Sequence, residues 1–179
     1  MLDGFNNVKF EVKDNNHTVD CNTKEEIIFL KKEIDFLFKE GGSDEIIEVF
    51  SFFLNDSFDG GNSDDMWKGY VLSLIFPVIL ALVEMRDRKE ILLDVDTIRE
   101  YLILENIQKL ASRRDLPNHI IQSLKSYLIS LPGYVEGQPK QAEITMDNHG
   151  YCQMILMRPC YFFEEVFKNK NKNIVITKS

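Results

Sequence analysis

The sequence predicts a mainly α fold: a compact multi-helix domain, with a short β-hairpin near its start and a short strand near its end as the only extended elements. Three observations carry this. Apolar residues recur at helical spacing in one segment after another. Capping residues and Gly or Pro punctuate the segments at short intervals. Period-two alternation is confined to VKFEVKD at 8–14, followed by NNHT as a turn, and to NIVIT at 173–177.

From Thr23, read as an N-cap, EEIIFLKKEIDFLFKE sets Ile27, Ile28, Phe29, Leu30, Ile34, Phe36, Leu37 and Phe38 on one broad stripe that Gly41 and Gly42 end. Ser43 opens SDEIIEVFSFFLND, whose first-turn acids suit the helix dipole, and DSFDGGNSDD closes it. A long third helix runs from about Asp65 to Lys89, and Pro77 inside it predicts a kink or a packing irregularity. Its apolar run YVLSLIFPVILALV spans 14 residues, short of the roughly 20 that a bilayer requires, and reads as a core helix rather than a membrane insertion.

Asp94 or Asp96 then caps a short helix around IREYL, ENIQKLASRR supplies another, and LPNHIIQSLKSYLISL a third between Pro117 and Pro132-Gly133. The last helix covers KQAEITMDNHGYCQMILMRPCYFFEEVF. The Lys/Asn-rich tail beyond it has no face to bury. The organisation expected is a strand and turn segment over 1–22, a helical domain over 23–167 and a polar tail over 168–179.

The net charge of -8 is unevenly placed: residues 1–65 hold 16 acids against 6 bases, and residues 66–179 hold 13 against 15. An acidic first third repels phosphate backbones, which leaves nucleic acid only local basic patches further on. Three cysteines without a framework spacing, after a polar and acidic opening MLDGFNNVKFEVKD, point to a reducing cytoplasm.

The chain holds no phosphate-binding loop and no dinucleotide fingerprint, so no cofactor is expected. MDNHGYCQM at 146–154 does bring Asp147, His149 and Cys152 together. His149 and Cys152 share a helix face at i and i+3, which could suit a nucleophile with its base or part of a metal site. A buried helix position packed by Met146, Ile155 and Leu156 is the competing reading, with Asp147 solvated or capping. Arg113 and Arg114, with Lys109, His119 and Lys125, form the densest basic patch, suited to an acidic partner, DNA or RNA, or simply to a solvated helix end. Trp67, beside Lys68 at the head of the third helix, is either an interface anchor or core.

A longer pattern runs through residues 60–158: the MWKG element at 66–69, DVDTIREYL at 94–102, LPGY at 131–134 and TMDNHGYCQM at 145–154. In order and spacing these resemble the helical insert of type IV secretion and conjugation coupling proteins, in the IcmO/DotL and IncI TrbC branch, where the last element reads T-L-D-Q-H-G-Y-x-x-M. The resemblance marks Gly69, Asp96, Arg99, Leu131, Pro132, Gly133, Tyr134, His149 and Gly150 as structural, and makes Trp67, Lys68, Arg113, Arg114, His119 and Lys125 candidates for interaction. Relatives of this kind are membrane-anchored hexameric ATPases that feed DNA or protein into a secretion channel. The resemblance therefore implies a substrate-facing or partner-facing domain, with secretion-machinery components or secreted proteins as partners. It implies no ATP hydrolysis here, since the motor's phosphate loop is missing. The alternatives are a small cytoplasmic enzyme or metal-binding protein using His149 and Cys152, and a helical nucleic-acid-binding module.

Overall fold

The computed structural model describes residues 10–13, 16–19, 34–55 and 62–168, and these are mainly helical as the sequence predicts. The expected N-cap at Thr23 and strand at 173–177 lie outside them. The hairpin pairs β1 (Phe10–Lys13) with β2 (Asn16–Val19) in antiparallel register, Phe10 opposite Val19. Asn16, His17 and Thr18 thus belong to the second strand, where the sequence reading put a turn. The chain divides into a unit of residues 1–36 with 161–179 and a helical unit of residues 37–160. The second carries all the candidate residues.

Helix α1 is described over residues 34–40 and α2 over Ser43–Asn55. Between them Gly41 donates its N–H to the Leu37 carbonyl at 2.9 Å, and a Cβ on Gly41 would stand 2.4 Å from that oxygen, so the turn admits only glycine. Gly42, not Ser43, caps α2. Its N–H is bonded by the Glu45 carboxylate at 2.9 Å, one half of a capping box, and Ser43 is the first helical residue. Arg86 reaches back from the helix after α2 to donate to the carbonyls of Phe38 and Gly41 at 3.0 and 2.7 Å, placing a cation at the carbonyl end of α1.

Helix α3 (Asn62–Asp87) packs against α2, and against α4 (Val95–Tyr101) and α6 (Asn118–Ser130), which makes it the central element of the helical unit. It continues through Pro77 without a break. Its Met66–Asp87 stretch is long and apolar enough to cross a membrane by length and composition, longer than the apolar run alone suggests. Half of it is nevertheless buried in the fold, with Val71, Leu74, Ile75, Val78, Ile79 and Leu82 wholly enclosed. Each such side chain contributes roughly 1.5–3 kcal/mol. The helix ends in a Schellman turn: Glu90 N–H bonds Met85 O at 2.9 Å, and Lys89 takes a left-handed φ of 62°.

Asp94, not Asp96, caps α4, its carboxylate accepting the Thr97 N–H at 2.8 Å. Asp96 sits in the first turn, 87% exposed, and pairs only with Arg99. Leu102 and Ile103 lead into α5 (Leu104–Ala111), which packs on α6. Arg113 and Arg114 follow in the connection to α6, whose cap position Pro117 occupies. Helix α7 (Glu143–Lys168) starts three residues later than the sequence pattern suggests and runs through Pro159.

Asp94→Ala should therefore cost about 1 kcal/mol. Asp96→Ala should stay within about 0.5 kcal/mol, because it removes only an exposed pair. Urea unfolding followed by circular dichroism separates the two: a shifted midpoint for the first variant, little shift for the second.

Candidate interaction site

Among the described residues three polar side chains are buried, Gln141, Thr145 and His149, and all lie in α7 or just before it. Thr145, His149, Cys152 and Leu156 follow one another at four, three and four residues, which places them on a single inward face of α7. A polar group on such a face must find partners or lose stability. Each of these does.

His149 Nε2 lies 2.9 Å from the carbonyl oxygen of Leu102, and Nδ1 lies 2.7 Å from the hydroxyl of Tyr127. A carbonyl only accepts, so Nε2 carries the proton, Nδ1 is the acceptor and the Tyr127 hydroxyl donates to it. The Cys152 thiol lies buried near the same phenol, so α7 and α6 are tied here by the Tyr127–His149 bond. Burial lowers the pKa of His149 against the opposing pull of the Leu102 carbonyl, so the ring stays neutral at pH 7. Burial also raises Tyr127 and pushes the Cys152 thiol up to about 11. The cluster that looked reactive in sequence therefore has both imidazole nitrogens engaged and its sulfur held as a thiol. Asp147 is exposed on the opposite side. Among the described residues no three metal-ligating side chains converge.

A second set of bonds fixes the link from α6 to α7. Gly133 adopts φ +75°, and a Cβ there would come within 2.9 Å of Ile144 and 3.2 Å of the Thr145 hydroxyl, so this position needs glycine on both counts. Thr145 donates to the Pro132 carbonyl at 2.7 Å. Gln141 clamps the loop by accepting from Val135 N–H and donating to the carbonyls of Val135 and Gln138, at 2.9, 2.8 and 2.7 Å. LPGY and TMDNHGYCQM thus meet in space. Gly150 and Gly69, marked as structural by the resemblance, differ from Gly133: a Cβ on either meets nothing within 4 Å. Met146, expected in the core, is half exposed.

The basic patch separates into parts. Arg113 bonds Asp115 and, at 2.6 Å, Glu90, and these bonds raise its pKa while holding the Asp115 carboxyl down at about 2. Arg88 joins the network through Glu84 and Asp115. Arg114 and His119 are exposed, and Lys125 faces Glu136 at 3.5 Å. Arg113, Lys125 and Lys109, together with Tyr134, line one cleft of about 680 Å³ between α5, α6 and residues 134–139. Trp67 packs its ring 4.4 Å from Tyr151 and 5.8 Å from Tyr70, joining α3 to α7, with Lys68 half-buried beside it. Gly69 borders a separate groove between α3 and α6.

Along an alignment of 136 positions that covers 68% of its length, the chain is 33% identical to the type 4 coupling protein DotL of Legionella pneumophila. It is similar to a segment of a type IV coupling protein. That segment amounts to 17% of DotL, so the chain spans about a sixth of this relative's length. No protein-family model matches the chain, and no solved structure matches it. In this coupling-protein-like chain Leu131, Pro132, Gly133 and Tyr134 shape the α6–α7 link, while Asp96 and Arg99 pair at 3.3 Å on α4. The sequence did not single out Tyr127, Gln141 or the Leu102 carbonyl. Tyr127 and Gln141 are ordinary helix and loop residues until their distant partners are known, whereas the inward spacing of Thr145 and His149 was readable.

Tyr127→Phe leaves the buried Nδ1 without its donor and should cost about 1–3 kcal/mol by urea unfolding, with helix content unchanged. The depressed pKa of His149 also has a sign. As pH falls below about 6.5 the unfolded chain takes the proton first, so stability present above that pH is lost on the way down. Between pH 7 and 5.5 the wild-type protein should lose stability, and His149→Gln, weaker at pH 7, should show a flatter profile.

Proposed function

We propose that the chain acts as a non-catalytic helical interaction domain of a type IV coupling protein, recruiting secreted proteins or machinery components through protein contacts. The observation that carries this reading is the 33% identity to DotL over 136 aligned positions. The spatial meeting of LPGY with TMDNHGYCQM supports it, because the residues behind the resemblance form the internal frame of one helical unit. On this reading the domain belongs to a motor's insert at the cytoplasmic face of the membrane, and the resemblance supports that position. The enzyme or metalloprotein alternative has less to draw on, since His149 offers no free nitrogen and Cys152 no thiolate. The nucleic-acid alternative is weakened by the carboxylates around Arg113.

Affinity capture from cells carrying a type IV secretion system should recover coupling-complex components or secreted proteins with the tagged full chain. Recovery of neither, in a strain whose secretion is active, would contradict the proposal.

A further inference from the structure

The cleft between α5, α6 and residues 134–139 has features of a built site. Its volume of about 680 Å³ lies within the roughly 300–1,000 Å³ usual for ligand clefts. Leu128, Ile129, Ala111, Tyr134 and Pro139 supply its apolar lining, and Ile129 is 69% exposed. One wall is rigid. The Gln141 amide takes up both polar groups of the Val135 backbone and the Gln138 carbonyl, so the loop is held in shape before anything binds and offers no free edge at Val135.

Its cations are not equally committed. Arg113 is locked to Glu90 and Asp115. Lys109 is bonded to the neutral side chain of Asn106 at 2.9 Å, and Lys125 faces Glu136 at 3.5 Å, with the two side chains 39% and 73% exposed. An ion pair so open to water holds by about 0–1 kcal/mol, and an incoming carboxylate can replace Glu136 at little cost. Two exchangeable ammonium groups beside an apolar floor complement an acidic, apolar peptide. A phosphate backbone fits less well, because it brings no apolar side chain to lay over Ile129, Tyr134 and Pro139.

We propose that this cleft is a docking groove for an acidic segment of a partner protein, which lays an aliphatic or aromatic side chain over Ile129 and Leu128 and sets carboxylates on Lys109 and Lys125. The proposal rests on the interaction-domain reading and gives it a location and a partner chemistry.

The test measures fluorescence anisotropy on the full chain with three labelled probes: a peptide alternating Glu with Leu and Phe, its counterpart with Lys in place of Glu, and a single-stranded oligonucleotide. The acidic peptide should bind, weaken with salt, and lose about tenfold in affinity in the Lys109→Glu/Lys125→Glu double variant. Ile129→Ser should weaken it too, and because all three side chains are at least partly exposed the fold should survive, which circular dichroism checks. Equal binding of both peptides, preference for the oligonucleotide, or unchanged affinity in the variants would overturn the proposal. Affinity capture with the double variant separates the two claims. Machinery proteins recovered equally by wild type and variant, without peptide binding, remove the groove and leave the interaction domain standing; recovery by neither removes both.

Discussion

The imidazole of His149 holds α7 to segments 22 and 47 residues away in sequence, through one bond to Tyr127 on α6 and one to the carbonyl that ends α4. These bonds have direction as well as strength. The Leu102 carbonyl fixes the tautomer, the tautomer fixes the sense of the Tyr127 bond, and the three groups are satisfied together or not at all. In a site this dry an unpaired member would cost more than a well-made bond returns. The register of α7 against α6 and the end of α4 follows from that constraint.

The α6–α7 link depends on the same register. Thr145 is one helical turn before His149, so seating the histidine brings the threonine hydroxyl to Pro132 and the start of α7 close over Gly133. Gln141 then closes the loop on itself, and this loop forms a wall of the cleft where Lys109, Arg113, Lys125 and Tyr134 gather. A buried polar tie and an exposed cleft are therefore mechanically connected.

Much of the fold was legible because its signals are local. Caps and glycines mark the ends of α2, α4 and α6, and helical spacing marks their inner faces. The correction at α2 is local too: Gly42 takes the cap position, and Ser43 becomes the first helical residue, because the Glu45 carboxylate bonds the N–H one residue earlier. The site was legible only in part. MDNHGYCQM shows that His149 and Cys152 share a face, but whether they face water or core depends on Tyr127 and Leu102, which nothing nearby in sequence announces. The cations of the basic patch were legible but their pairing was not, since Glu90 lies 23 residues from Arg113 and bonds it from the α3–α4 connection.

The most direct measurement is long-range nitrogen–proton correlation of the His149 imidazole in the labelled full chain, with and without zinc. The neutral ring with its proton on Nε2, Nδ1 shifted as a hydrogen-bond acceptor, and no response to zinc are the predicted results. A proton on Nδ1, a ring charged at pH 7, or a signal displaced by stoichiometric zinc would contradict the structural role assigned to this residue.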